Sequence, residues 1–126
     1  MQINRRLPES ELDIMLVVWQ QQGTATAPAI LAALERPLTA SALHSYLKRL
    51  EEKGFLSCSK QGKSNLYQAL ISQEEYQRSE GRSMLHKLYG GSLSRFAAAL
   101  YDGDQVEPQD IAELQALLDT LQEGLG

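Results

Sequence analysis

The chain has 126 residues, a net charge of −4, an ordinary apolar share of 43% and one cysteine, Cys58, so it has room for one domain, or one small domain with an extension, and no internal disulfide. No apolar run approaches ~18 residues and none follows the charged start Met1-Gln2-Ile3-Asn4-Arg5-Arg6, so neither a membrane span nor a signal peptide is expected. A lone thiol fits a reducing, cytoplasmic setting.

The first predicted element is a helix over residues 9–22, with Leu12, Met15, Leu16 and Trp19 on one stripe and Ile14 and Val18 on a second. Glu9, Glu11 and Asp13 sit in its opening turns, where carboxylates favour the helix dipole, and they do not form a catalytic pair. Gly23 is read as its C′ residue and residues 24–27 as a turn. Thr26 is placed as the cap of a second helix, with Pro28 in its first turn, Ala27, Ile30, Leu31 and Leu34 inward, and Arg36-Pro37 as its end.

The third helix, capped by Thr39 and ended by Gly54, carries the most information. Leu43, Tyr46, Leu47 and Leu50 recur at helical spacing and must face a core. Ser41, His44, Ser45 and Lys48 recur on the opposite face, which holds no carboxylate until Glu52. Short hydrogen-bonding side chains beside cations suit base edges and the phosphates next to them. Two strands follow, 55–59 and 64–70, around a turn Lys60-Gln61-Gly62-Lys63 in which Gly62 supplies positive φ. A helix-turn-helix followed at once by a basic hairpin is the order of a winged helix-turn-helix.

The charge map agrees. Residues 1–71 hold eight Lys/Arg against six Asp/Glu, and residues 72–126 hold four against ten. Within 36–63, Arg36, Lys48, Arg49, Lys53, Lys60 and Lys63 face only Glu51 and Glu52, a local net of +4. Local sign governs contact with phosphates, so an acidic total does not exclude nucleic acid.

Ser72-Gln73-Glu74-Glu75 matches a capping box and opens a fourth helix running to about Tyr89, which Gly90-Gly91 interrupts. Leu93, Phe96, Ala97 and Leu100 mark a fifth helix, Asp102-Gly103-Asp104 a loop, and Pro108 the start of a sixth with Ile111, Leu114, Leu118 and Leu121 on one face. About 50 residues in three short helices are marginal alone. A second copy is the expected remedy, with Met84, Leu85, Leu88, Phe96, Leu100, Leu114 and Leu118 in a shared core; the other solution is to fold back on the N-terminal module.

At this point the chain resembles the penicillinase-repressor family (the BlaI/MecI/CopY type). The matching stretches are Leu7-Pro8-Glu9-Ser10-Glu11-Leu12-Asp13-Ile14-Met15 with Trp19; Leu50-Glu51-Glu52-Lys53-Gly54-Phe55-Leu56; Leu66-Tyr67 running into Ser72-Gln73-Glu74-Glu75-Tyr76; and Gly91-Ser92-Leu93 with the sixth helix. The resemblance implies a mainly α fold with a small β-wing: a winged helix-turn-helix DNA-binding domain over 1–71 and a helical dimerisation domain over 72–126. It further implies a homodimeric repressor of transcription on a palindromic operator in double-stranded DNA. The cytoplasmic setting is read from the lone thiol, and no cofactor, metal or enzymatic activity is expected because no phosphate loop, nucleophile motif or metal motif appears, which leaves an unknown inducer as a further candidate partner. Departures stand beside it. The tail lacks the cysteines of the copper-responsive branch, so copper sensing there is not expected. The Asn-Phe bond cleaved in the β-lactam-responsive branch falls at about Ala99-Leu100. Ala42 and His44 replace a Thr and an Arg or Lys usual in the family, which bears on the operator sequence.

The candidate DNA contacts are therefore Ser41, Ala42, His44 and Ser45 for base edges and Lys48, Arg49, Lys60 and Lys63 for phosphates, against a plain solvated face. Arg49 has the alternative of pairing with Glu51 or Glu52. Trp19 reads as core and Tyr67 as packing between wing and helix. His44, His86 and Cys58 make a poor zinc set, and Cys58 reads as a buried, inert thiol in preference to a redox switch. The rival functions are a protein-interaction adaptor on a degenerate winged helix and, far behind, a small enzyme.

Overall fold

A computed structural model describes residues 6–102 and 106–125. They form α1 (Glu9–Gln20), β1 (Thr24–Thr26), α2 (Ala27–Ala33), α3 (Ala40–Glu52), β2 (Leu56–Gln61), β3 (Ser64–Ala69), α4 (Gln73–Tyr89), α5 (Leu93–Asp102) and α6 (Pro108–Leu125). The chain divides into two compact units, residues 1–81 and 82–126, with the boundary inside α4.

The first unit is a winged helix. Its helices stop where backbone chemistry stops them. After α3, Gly54 takes φ 85°, its N–H reaches Glu51 O at 3.0 Å, and Phe55 N–H reaches Leu50 O at 2.9 Å. That double bond is a Schellman closure, and it sends Phe55 straight into the core. The same closure ends α1, one residue earlier than expected. Gln22 holds the left-handed position (φ 63°), and Gly23, next along, donates to Val18 O at 2.9 Å. Thr26 and Thr39 accept from Ala29 N and Ala42 N at 3.3 and 3.0 Å, as the sequence indicated for both caps.

The sheet is antiparallel in the order β1-β3-β2. Strand β1 replaces the expected turn at 24–27: Thr24, Ala25 and Thr26 stand opposite Gln68, Tyr67 and Leu66. Three residues are too few to show a period-two pattern, and only their pairing with β3 makes them a strand. The wing's turn is tighter than expected, and Phe55 and Leu70 lie just outside its strands. Lys60 and Gln61 belong to β2, and Gly62-Lys63 alone make the turn between Gln61 and its partner Ser64. Gly62 has φ 64°, which a two-residue hairpin with glycine first requires.

The core gathers Ile14, Met15 and Val18 of α1, Ile30 of α2, and Leu43, Leu47 and Leu50 of α3 against Phe55, Leu56 and Tyr67. On α1 the deepest side chains are those of the second strip, Ile14 and Val18, with Met15, whereas Leu12, Leu16 and Trp19 are half-buried. One core residue comes from beyond the wing. Tyr76 on α4 lies 5.8 Å, ring to ring, from both Trp19 and Phe55, and its hydroxyl accepts from Leu7 N at 3.0 Å. Trp19 Nε1 donates to Ile71 O at 2.9 Å, and Arg6 pairs with Glu80 at 2.9 Å. The first two turns of α4 are thus stitched to α1 and to the chain before it.

The capping box at the start of α4 is reciprocal. Glu75 N donates to Ser72 Oγ at 3.1 Å, and Ser72 N donates to Glu75 Oε1 at 3.3 Å. In the second unit, Gly90 and Gly91 take φ 58° and 82° between α4 and α5, and Tyr89 meets Phe96 edge to face at 5.4 Å. Asp102 closes α5; Gly103 and Asp104 of the expected loop lie outside the described residues. Beyond Tyr76 no described side chain is buried, and the described side chains of α6 are all exposed.

Candidate nucleic-acid interface

The buried side of α3 faces α1 and α2, so its other side is presented outward. Leu43, Leu47 and Leu50 are buried and Tyr46 is half-buried. Ser41, His44, Ser45 and Lys48 are all exposed, as one face of a helix must be when the opposite face is packed. Ala42 departs from them: it is half-buried and lies on the flank beside Tyr46, away from the centre of the exposed face. Arg49 shares that flank, and its guanidinium stands 5.6 Å from the centre of the Tyr46 ring. No ion pair joins it to Glu51 or Glu52 among the described residues; stacking holds it instead.

The wing brings further cations. Lys60 and Lys63 are exposed, one on β2 and one at the tip. With Lys48 they make no ion pair among the described residues. Tyr67 is buried under the wing, and that burial, with Cys58 beside it, pushes its phenol up from its ordinary value. Its ring packs within the core cluster. Cys58 is exposed, against the expectation of a buried thiol. Strand β2 is buried only at Leu56 and emerges towards the tip, so a residue two positions further out is already at the surface.

Two cations counted in the basic segment are paired with carboxylates of α1. Arg36 is held by Asp13 and, at 3.2 Å, by Glu9. Lys53 Nζ lies 2.5 Å from Glu11 Oε1, a carboxylate only 2% exposed. Sequence reading took these α1 carboxylates for dipole partners. The spacing of Glu9 and Asp13 (i, i+4) was a signal for a shared cation; nothing local indicated that Glu11 is buried against a lysine 42 residues away. Lys53→Met, which leaves Glu11 buried without its partner, should cost about 3 kcal/mol by chemical denaturation. That is the low end of the usual range, because water still reaches the lysine end of the pair.

Comparison with known proteins follows the same outline. The penicillinase-repressor family matches residues 7–120. The chain belongs to that family. Among curated relatives, the penicillinase repressor of Bacillus licheniformis is 27% identical over 116 residues, covering 90% of each chain. The methicillin resistance regulatory protein MecI of Mammaliicoccus sciuri is 20% identical over 114 residues, 89% of this chain and 92% of that one. A structure of monomeric B. licheniformis BlaI in complex with the blaP half-operator superposes with a TM-score of 0.51 at 23% identity, over 60% of this chain and 94% of that one. The hsRosR-S4 complex superposes with a TM-score of 0.53 at 21% identity, over 88% and 95%. These likenesses support the winged-helix fold. Family membership makes the chain a transcriptional repressor, a DNA-binding and not an enzymatic class, and among the described residues no helix is long and apolar enough to cross a membrane.

Proposed function

We propose that the protein is a homodimeric repressor that binds a palindromic operator in double-stranded DNA, with α3 in the major groove and the wing on the flanking backbone. The observation that carries this reading is the exposed face of α3. Ser41, His44, Ser45 and Lys48 form a strip free of carboxylate as far as Glu52, beside Lys60 and Lys63, which make no ion pair among the described residues. Serine and imidazole groups serve base edges; Lys48, Arg49, Lys60 and Lys63 serve phosphates. BlaI's structure on a half-operator supports the same use of the fold.

In this division of labour residues 1–71 contact DNA and residues 72–126 associate. Exposed apolar side chains beyond the winged unit support a second copy. Leu88 (68%), Leu93 (67%) and the α6 row Ile111, Leu114, Leu118 and Leu121 (46–53%) stand open to solvent. Exposed large apolar side chains on α4, α5 and α6 of a single chain support an interface with a second copy, and a symmetric dimer places two reading helices on a two-fold symmetric site. Met84, Leu85, Phe96 and Leu100 complete the proposed interface. The repressor works in the cytoplasm, needs no cofactor, and is released by an inducer or by loss of the dimer. Cleavage at Ala99-Leu100 is not part of this reading, because alanine lacks the amide that a protease pocket built for asparagine would bind.

The test is selection of bound duplexes from random DNA with the full chain, followed by point variants. Lys63→Ala, which removes one contact from each subunit, should weaken all sequences about equally and make the salt slope shallower by about 2, whereas Ser45→Ala or His44→Ala should change preference at one position of each half-site by about 1–3 kcal/mol. Selected sites should be inverted repeats; single, unrepeated sites would refute the dimeric reading.

A further inference from the structure

The buried Glu11–Lys53 pair lies outside the reading surface, yet it joins that surface to the rest of the fold. Lys53 is the C-cap of α3, and Glu11 sits in the first turn of α1. Their charged atoms are 2.5 Å apart, with Glu11 2% and Lys53 23% exposed. The other contacts of α3 with the core are apolar, through Leu43, Leu47 and Leu50. Apolar packing is non-directional: it holds the helix against α1 but resists rolling and sliding only through side-chain shape. A single charge-assisted hydrogen bond between one oxygen and one nitrogen has a fixed length and a preferred line. It therefore ties the end of α3 to one point on α1.

Stability alone is a poor reason for this arrangement. Taking a carboxylate out of water costs so much that a buried ion pair often does no better than an apolar pair of the same volume. We infer that Glu11 and Lys53 are positioning residues for operator recognition, setting the angle at which Ser41, His44, Ser45 and Lys48 meet the groove. This rests on the DNA-binding reading above. Lys53 acts through Glu11 and does not touch phosphate, in contrast to Lys48.

The discriminating variant replaces both partners, Glu11→Leu with Lys53→Met, in the full chain. Its melting temperature, its affinity for a selected duplex and for a shuffled duplex of equal length, and its salt slope are measured beside the parent. A pair that positions the helix leaves the melting temperature equal or higher, the shuffled-duplex affinity and the salt slope unchanged, and the selected-over-shuffled ratio about tenfold lower, the size of one lost base contact. A folded double variant that keeps the full ratio would overturn the inference, and so would one that fails to fold, since the pair would then be holding the fold itself. A slope that becomes shallower by about 2, one phosphate contact from each subunit, would also overturn it, by making Lys53 a phosphate contact. If the parent chain shows no preference for any duplex, the DNA-binding reading fails and takes this one with it.

Discussion

Tyr76→Ala should unfold much of the winged unit, although the residue lies beyond the wing and on a different helix from the reading face. The ring fills the space between Trp19 and Phe55, and its hydroxyl satisfies the buried Leu7 N–H. Removing a buried aromatic costs about 3–5 kcal/mol, and small domains have only about 5–15 in total. The melting temperature of the winged unit should fall by roughly 15–30 °C. Tyr76→Phe isolates the hydroxyl and should cost about 1–2 kcal/mol, since it leaves a buried donor without a partner. The same contacts change what a fragment must contain. Sequence reading gave residues 1–71 a core of their own in Leu16, Trp19, Ile30, Leu34, Leu43 and Leu47, but Tyr76 is part of that core. A fragment ending at residue 81 should unfold cooperatively, and one ending at 71 should be weaker by about the cost of Tyr76→Ala. Equal stability of the two fragments would remove Tyr76 from the account.

The second large effect is expected at α6. Leu114→Asp with Leu118→Asp puts two carboxylates into a row of leucines that are each 46% exposed in the single chain. If that row is closed by a second copy, burying those charges is prohibitive and the dimer falls apart. Sedimentation should then show a monomer at micromolar concentration with the winged unit intact. Operator affinity should drop by about 10²–10⁴-fold, the gain that linking two half-site readers supplies. Affinity for a single half-site should hardly change. A double variant that remains dimeric would place the interface elsewhere; a wild-type chain that sediments as a monomer would end the homodimeric reading.

What the sequence made legible is what short-range chemistry decides. Thr26, Thr39 and Ser72 cap helices through bonds three residues long, and Gly54 and Gly62 take positive φ where the chain turns. Helical spacing alone separated Leu43, Leu47 and Leu50 from Ser41, His44, Ser45 and Lys48, so the candidate surface was readable almost whole. The misses share a cause. Strand β1 exists through its pairing with residues 66–68, Glu11 is buried through Lys53, and Arg36 is spent on Glu9 and Asp13. Each depends on a partner more than 20 residues away, and no local pattern names that partner. Cys58 was misjudged for a smaller reason: it sits where a strand leaves the core, and periodicity is least decisive at such margins.

If α3 and the wing hold DNA through a few cations on each of two subunits, binding must weaken steeply as salt rises. Lys48, Arg49, Lys60 and Lys63 from two chains, neutralising about six to eight phosphates, should give a slope of log K against log salt of about −5 to −7 on a selected duplex. A slope near zero would mean that phosphates are not bound there, and would contradict the DNA-binding account as a whole.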